Sequence, residues 1–269
     1  MDTRGVFILF IVFYLLVIVM TSVRLGLRKK RQQLWWDDLG AFVTLIMLGI
    51  IAGLYIAQTV RTRQSYGPDV ENFFVWANYL TSPTAVWGAR LAIVLTLIRH
   101  IPPSTSRKTA LGSIVVMGLM YLTSIFLASF ECGVPVSASA RCPYSARNTI
   151  INLTFYIAST IWIVLFPIAL LIQYKAASAH RKFIICCTVA GLWIIAVDIA
   201  HAVNLFAFDK FRRRIVTEFD VNAITATGNL HILFPIIASN AVAFIAPLNL
   251  FAVSSQPSDN ESVDSTAKA

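Results

Sequence analysis

Charged residues are scarce in this 269-residue chain, at 13% of the sequence, while hydrophobic residues make up 57%. Soluble domains average about 25% charged and about 45–50% apolar residues. A water-soluble fold has no place for so large an apolar excess, whereas a lipid bilayer solvates it. The shortage of charge therefore indicates an integral membrane protein whose immediate partner is the bilayer.

The sequence also lacks the common enzyme signatures, namely a hydrolase triad motif, a metal-ligand cluster and a phosphate-binding loop. Its four histidines have no ligand spacing. The net charge of +9 comes from short basic clusters between apolar runs, not from a continuous basic patch with interleaved aromatics. We therefore expect neither an enzyme nor a nucleic-acid-binding protein, and we expect no metal and no cofactor.

Seven apolar runs are each near the roughly 20 residues that a membrane-spanning helix needs. They cover approximately residues 5–23, 39–60, 73–98, 109–130, 149–174, 183–208 and 230–253. None alternates in the manner of a β-barrel strand. The expected fold is an all-α membrane protein with one seven-helix transmembrane domain, residues 1–253, and a disordered cytoplasmic tail, residues 254–269.

The orientation follows from the Lys and Arg residues between the runs, because basic loops stay on the cytoplasmic side. The first, third and fifth loops with the tail hold more of them than the opposite side does. The first loop is the most basic, with Arg24, Arg28, Lys29, Lys30 and Arg31. We therefore predict an outside N-terminus and a cytoplasmic C-terminus, and we expect the plasma membrane as the location.

Four stretches carry a resemblance to a known family. They are the basic loop running into Leu34-Trp35-Trp36-Asp37-Asp38, the segment Val86 to Arg99, the pair Cys132 and Cys142 after Phe130-Glu131, and Leu165-Phe166-Pro167-Ile168. With them the chain resembles the fungal seven-helix membrane proteins grouped as the fungal rhodopsin domain, over roughly residues 6–251.

The resemblance implies a receptor-like protein that takes a small-molecule ligand from outside, and it leaves the ligand and any cytoplasmic effector open. Family members often carry an aspartate seven residues before the fifth-span proline, where this chain has Thr160. The family name suggests retinal, whose Schiff base needs a lysine amine inside the bundle. None of the seven runs contains a lysine. We therefore expect no retinal.

Arg90 is the most informative single residue, since it lies about nine residues, or roughly 13 Å, from the cytoplasmic end of the third run. An arginine at this depth costs about 2.5–3.5 kcal/mol on insertion scales unless it finds a partner. We predict that Arg90 pairs with Asp38 or Asp37 and closes the cytoplasmic end of the bundle. The alternatives are Asp198, which lies deeper, and snorkelling toward the headgroups without a fixed partner.

A second group of polar residues indicates a ligand site in the outer half of the bundle. Asp198 and His201 are three residues apart and share a helix face with Asn204. His231 and Asn240, in the seventh run, are candidates for the same cavity. A histidine beside a carboxylate could exchange protons near neutral pH. Interhelical hydrogen bonding, worth about 0.6 kcal/mol per bond, is the simpler interpretation.

The four cysteines fall in two places. Cys132 and Cys142 share a predicted outer loop, where an oxidising environment lets a bridge persist, and we predict that they form a disulfide. Cys186 and Cys187 are adjacent near the predicted cytoplasmic face. For this pair, packing as small apolar residues is the simpler interpretation and palmitoylation the alternative.

These features favour a receptor-like seven-helix protein that senses an external ligand. The fifth loop, Lys175 to Lys182, is short and offers little surface to a G protein. Two alternatives stay open. One is a small proton-linked transporter, motivated by Asp198, His201 and Arg90, although an odd number of spans without an evident inverted repeat counts against it. The other is a membrane scaffold that binds no ligand.

Overall fold

The computed structural model describes residues 3–61, 68–100, 105–132, 146–174, 178–211 and 218–254. These residues form seven α-helices and no β-strand. The helices are α1 Thr3–Lys30, α2 Trp36–Arg61, α3 Pro68–His100, α4 Thr105–Cys132, α5 Ala146–Tyr174, α6 Ser178–Phe211 and α7 Glu218–Ser254. Each contains a stretch long and apolar enough to cross a membrane, so the predicted seven-helix membrane bundle is confirmed. Residues 255–269 of the predicted tail lie outside the described residues, and the orientation stays a prediction.

The helices α3 and α7 form the centre of the bundle. Buried positions make up 67% of the α3 span and 61% of the α7 span, against 17% of the α4 span. α7 packs against α1, α3 and α6, and α3 also packs against α2, α4 and α5. Side chains at these buried positions lie away from the lipid-facing surface of the bundle. Polar side chains on α3 and α7 must therefore find partners on neighbouring helices.

The helix α1 buries one stripe of side chains that repeats every three or four residues, as expected for a helix packed on one side. The stripe consists of Val6, Phe10, Tyr14, Val17, Thr21, Arg24 and Arg28. The predicted first span ends at Val23, but α1 continues to Lys30 and carries Arg24 and Arg28 onto the stripe. The basic cluster of the first loop therefore has two parts. Arg24 and Arg28 are buried, whereas the three basic residues after Arg28 are exposed.

The turn between α1 and α2 is fixed by main-chain hydrogen bonds. The N–H of Gln33 donates to the carbonyl of Arg28 at 3.0 Å, and the N–H of Gln32 makes the companion bond of a Schellman motif at 3.0 Å. Gln32 has the left-handed φ of 54° that this motif requires. On the α2 side, Asp38 Oδ2 accepts from the N–H of Trp35 at 3.1 Å and caps the first turn. The turn therefore holds the two aspartates close to α1.

The helices α2 and α3 approach each other through small residues. Gly40 and Thr44 of α2 face Gly88 and Ala92 of α3. A Cβ on Gly88 would lie 2.6 Å from Thr44 Oγ1, and a Cβ on Gly40 would lie 3.3 Å from the carbonyl oxygen of Gly88. Small residues at a spacing of four let two backbones come close in a membrane. This contact brings the first turns of α2 beside α3.

We expect Gly88→Ala to destabilise the protein by about 1–3 kcal/mol, because an added methyl group overpacks a closed contact. Thr44 resists turning away, since its hydroxyl donates to the carbonyl of Gly40 at 2.9 Å. Thr44→Ala in the Gly88→Ala background should recover most of the loss. Thermal unfolding of the detergent-solubilised protein is the measurement. Gly49→Ala is the control, because a Cβ there meets nothing within 4 Å. Equal effects at Gly88 and Gly49 would contradict the close approach.

Candidate functional site

Four polar side chains from four helices meet at the centre of the bundle. We name them the core cluster: Arg90 of α3, Thr160 of α5, Asp198 of α6 and His231 of α7. Arg90 Nη2 donates to Asp198 Oδ2 at 2.7 Å, and Thr160 Oγ1 donates to the same oxygen at 3.0 Å. His231 Nδ1 lies 2.7 Å from Asp198 Oδ1. Both carboxylate oxygens are engaged, so Asp198 joins the other three helices to α6.

This geometry corrects the predicted partner of Arg90. The pairing with Asp37 or Asp38 is wrong, because Arg90 is paired with Asp198, the alternative partner. The physical reason is competition, since two arginines of α1 already neutralise Asp37 and Asp38. Arg90 is fully buried, so it does not snorkel to the headgroups. Its ion pair lies in the middle of the bundle and not at the predicted cytoplasmic end.

The guanidinium of Arg90 also lies against aromatic rings. Its Cζ is 4.7 Å from the ring centroid of Tyr156 and 5.7 Å from that of Trp87. Such cation–π contacts are worth about 2 kcal/mol when they are desolvated. Nε and Nη1 of Arg90 have no hydrogen-bond partner among the described residues. Asp198 therefore holds Arg90 through a single nitrogen, because its second oxygen is held by His231.

His201 extends the core cluster toward the predicted outer end of the bundle. Its ring stacks on that of His231, with centroids 5.2 Å apart and planes inclined by 18°. Its Nδ1 lies 3.4 Å from Thr227 Oγ1. Within the described residues, its link to Asp198 runs through His231. Gly228 makes room for the ring, because a Cβ there would lie 3.3 Å from His201 Cε1. The half-buried His201 is thus the outermost member of the polar path.

The two asparagines predicted for the ligand site have different surroundings. Asn204 Nδ2 donates to a carbonyl of its own helix at 3.0 Å and does not join the core cluster. Asn240 lies about 13 Å further along α7 than His231. There its Nδ2 donates to Thr21 Oγ1 at 2.9 Å, and its Oδ1 accepts from Arg24 at 3.4 Å. Asn240 therefore does not belong to the predicted outer cavity, whereas the place of Asn204 in that cavity stays a prediction.

A second polar group, which we name the first-loop cluster, consists of Arg24 and Arg28 of α1 with Asp37 and Asp38 of α2. Arg24 Nη2 donates to Asp37 Oδ2 at 3.0 Å. Arg28 Nη1 donates to Asp38 Oδ1 at 2.8 Å and also to Asp37 Oδ2. Arg24 and both aspartates are at most 3% exposed. Ionic groups buried to this degree persist only when they are paired and hydrogen-bonded.

The helices α3 and α7 complete the first-loop cluster. On α3, Thr96 Oγ1 donates to Asp37 Oδ2 at 3.0 Å. On α7, Ser239 accepts from Arg24 Nη1 through its carbonyl at 3.2 Å and its hydroxyl at 3.1 Å. Arg28 Nη2 donates to another α7 carbonyl at 3.3 Å. The cluster therefore ties α1, α2, α3 and α7 together at the end of the bundle that carries the basic loop.

The predicted disulfide falls in a part of the chain that the structure does not describe. Cys142 and the side chain of Cys132 lie outside the described residues, so the bridge stays a prediction. Cys186 and Cys187 are free thiols. Cys187 is fully buried in the hydrophobic core beside Ile184 and Ile194, as its apolar interpretation predicts.

A family model described as the fungal rhodopsin domain matches residues 23–229. The chain belongs to this family. The matched region includes the charged residues of the first-loop cluster and three members of the core cluster, Arg90, Thr160 and Asp198, and it ends just before His231. Comparison with curated proteins and with solved structures gave no significant match. Membership in the fungal rhodopsin domain family thus rests on the family model and on the seven-helix fold.

Retinal, which the family name implies, does not fit the described residues. Its covalent attachment requires a lysine amine in the interior. The buried cations among the described residues are Arg24, Arg28 and Arg90, and no lysine is among them. A guanidinium stays protonated and does not replace a lysine amine in a Schiff base. We derive no retinal chemistry for this fungal rhodopsin domain protein, and the absence of retinal stays a prediction.

Proposed function

We propose that this chain is a receptor-like membrane protein in which an external small molecule binds beside the core cluster and shifts the first-loop cluster. The observation that carries the proposal is that α3 and α7 contribute to both clusters. Arg90 and Thr96 lie about 9 Å apart along α3, and His231 and Ser239 lie about 12 Å apart along α7. A movement of either helix at one cluster therefore displaces side chains at the other.

The core cluster is suited to rearrangement by a ligand. Asp198 binds three groups with two oxygens, so a ligand that hydrogen-bonds to Asp198 or His231 competes with contacts inside the cluster. His201 and Thr227 offer further polar atoms on the predicted outer side. A ligand shifts a conformational equilibrium only by its difference in affinity for the two states. The ligand that activates this protein is therefore one that prefers a weakened Arg90–Asp198 pair.

The coupling of the two clusters is tested with the full chain in liposomes and a fluorescent amino acid in place of Lys30, at the exposed end of α1. Without any ligand, Asp198→Asn should change the emission from this position, because it displaces α3 and α7. Thr154→Ala is the control, since Thr154 is exposed on α5 and its hydroxyl donates to a carbonyl of its own helix at 2.8 Å. An emission that Asp198→Asn leaves unchanged would contradict the coupling.

Ligand sensing is tested on the same labelled protein by adding a panel of small organic metabolites from outside. The receptor proposal expects a saturable change in emission with at least one compound. Asp198→Asn should weaken that response by about tenfold or more, as the loss of about 1.4 kcal/mol of differential binding would do. Thr154→Ala should leave the response intact.

A second candidate function is a proton-linked carrier, which the stacked pair of His201 and His231 beside Asp198 favours. The three side chains form a path from a half-buried position to the centre of the bundle, with ring stacking between the two histidines and a hydrogen-bond contact between His231 and Asp198. Beyond Asp198 the path meets the fixed positive charge of Arg90, which repels a moving proton. Proton flux in liposomes driven by a pH gradient and lost on Asp198→Asn would favour the carrier. A scaffold would show neither flux nor a ligand response.

A further inference from the structure

Two histidines from different helices stack on each other near the predicted outer end of the bundle. The rings of His201 in α6 and His231 in α7 have centroids 5.2 Å apart and planes inclined by 18°. His201 lies four residues, or about 6 Å, from the end of the α6 span at Leu205. It is half-buried, whereas His231 is buried. His201 is therefore the member of the pair that lies nearer to the membrane surface.

The number of protons that the pair can take up follows from its hydrogen bonds. The Asp198 carboxylate only accepts hydrogen bonds, so Nδ1 of His231, 2.7 Å from Asp198 Oδ1, carries a hydrogen. In the neutral ring, Nε2 is then the nitrogen that accepts a proton. A neutral His201 ring also has one nitrogen without a hydrogen. The two rings together can therefore take up two protons.

The ionisable groups around the pair include a single carboxylate. α6 packs against α5 and α7, and among the described residues the ionisable groups that act on His201 are His231 of α7 and Asp198 of its own helix. On α5, Tyr156 meets His231 edge to face, with centroids 4.7 Å apart. On α3, Arg90 is paired with Asp198 at 2.7 Å. The one negative charge beside the histidines is thus already matched by a guanidinium.

The two protons have different effects on the stacked rings. One imidazolium beside Asp198 is attracted by the carboxylate, so the first proton leaves the stack intact. The second proton makes both rings cationic with their centroids 5.2 Å apart, and like charges repel strongly in a poorly solvated site. His201 is held on its other side only by a long 3.4 Å contact between its Nδ1 and Thr227 Oγ1 among the described residues. His201 is therefore the ring that moves, toward the membrane surface, where water solvates its charge.

We propose that the core cluster senses acid: protons from the outer side charge both histidines, and the repulsion between them separates the outer ends of α6 and α7. Sensing requires no path beyond Asp198. The positive charge of Arg90, which counts against a proton carrier, therefore does not count against a sensor. The signal rests on the receptor function proposed above, because a displacement at the core cluster must reach the first-loop cluster.

The separation is measured on the full chain in liposomes, with a fluorescent amino acid of pH-independent emission in place of Val203, an exposed residue two positions after His201. Lowering the external pH from about 7.5 to about 4 should change the emission along a titration curve. His201→Gln and His201→Phe should each abolish the change, because a single charged ring has no charged neighbour. His100→Gln, at the last residue of α3, is the control and should respond as the parent does. A parent without a response, or a full response in both His201 variants, would overturn the proposal.

Proton uptake is measured directly by nitrogen NMR of the full chain with labelled histidine rings. The signals of His201 and His231 are identified by their loss in His201→Gln and His231→Gln. We expect both rings to become imidazolium over the range in which the Val203 emission changes. A His201 ring that stays neutral throughout that range would overturn the proposal.

The fluorophore at Lys30 distinguishes acid sensing from the proposed function. A response to acid at both Val203 and Lys30 would support the sensor and its coupling to the first-loop cluster. A response at Val203 alone would support acid sensing by the histidine pair and contradict the coupling on which the proposed function depends. Absence of a Val203 response would overturn acid sensing, whereas the response to small organic metabolites is measured separately at constant pH.

Discussion

Asp198→Asn is expected to destabilise the protein by about 3–5 kcal/mol, because it leaves Arg90 as a buried charge without its counter-ion. In the structure Arg90 Nη2 lies 2.7 Å from Asp198 Oδ2, and neither side chain is exposed. An amide oxygen still accepts a hydrogen bond, but it does not neutralise the guanidinium. Thermal unfolding in detergent, with the monodisperse fraction on size-exclusion chromatography, measures the loss.

A variant that lacks both charges distinguishes the contribution of the ion pair to stability from that of the packing around it. Arg90→Met combined with Asp198→Leu should recover most of the stability, since well-packed apolar groups often replace a buried ion pair at little cost. If the losses of stability from Arg90→Met and Asp198→Leu simply add in the double variant, the pair contributes no coupling energy and the interpretation fails.

Thr160→Val removes one hydrogen bond to Asp198 and should cost about 1 kcal/mol of stability. Thr154→Val, at an exposed position of the same helix, is its control.

The seven helices are predictable from sequence because lipid leaves few choices. Each span must be apolar for about 20 residues and must satisfy its own backbone hydrogen bonds. The ends are less predictable. The apolar run of α1 stops at Val23, whereas the helix continues to Lys30. Hydropathy indicates which residues lie in the hydrocarbon core of the bilayer. A helix can continue beyond those residues where the next ones keep the main-chain hydrogen bonds and make contacts.

The partner of Arg90 could not be read from its depth in the membrane. Depth gives the position of a residue along the membrane normal but does not indicate which helices are neighbours. Three carboxylates, those of Asp37, Asp38 and Asp198, were therefore possible partners. A signal was nevertheless present, because Arg24 and Arg28 continue the spacing of the buried α1 stripe. Extending α1 by two turns assigns these arginines to Asp37 and Asp38. Asp198 is then the carboxylate left for Arg90.

The role of Thr160 was also hidden in the sequence. Family members often carry an aspartate at this position, and the sequence alone assigns no role to the threonine that stands here. In the structure Thr160 Oγ1 donates to Asp198 Oδ2 at 3.0 Å. The threonine hydroxyl donates a hydrogen bond to the Asp198 carboxylate, whereas a second carboxylate at this position would repel it. The carboxylate of the core cluster therefore comes from α6, and α5 contributes a donor that stabilises it.

Asp37→Asn should cost more than Asp38→Asn, although the two residues are adjacent acids at the start of the same helix. Asp37 Oδ2 accepts from Arg24, Arg28 and Thr96, and its other oxygen lies 3.9 Å from an Arg99 nitrogen. A neutral amide at this position leaves an excess of buried positive charge. The expected loss is about 3–5 kcal/mol for Asp37→Asn.

Asp38→Asn should cost about 1–3 kcal/mol, because its side chain still caps the N–H of Trp35 and Asp37 still neutralises the arginines. Arg24→Gln in the Asp37→Asn background lowers the positive excess and should recover part of the stability, which thermal unfolding measures. The same Asp37→Asn change weakens the link that runs from Arg24 of α1 through Asp37 to Thr96 of α3, so a fluorophore at Lys30 should report it without any ligand. Equal losses from the two aspartates would contradict the larger share of the charge pairing that the structure gives to Asp37.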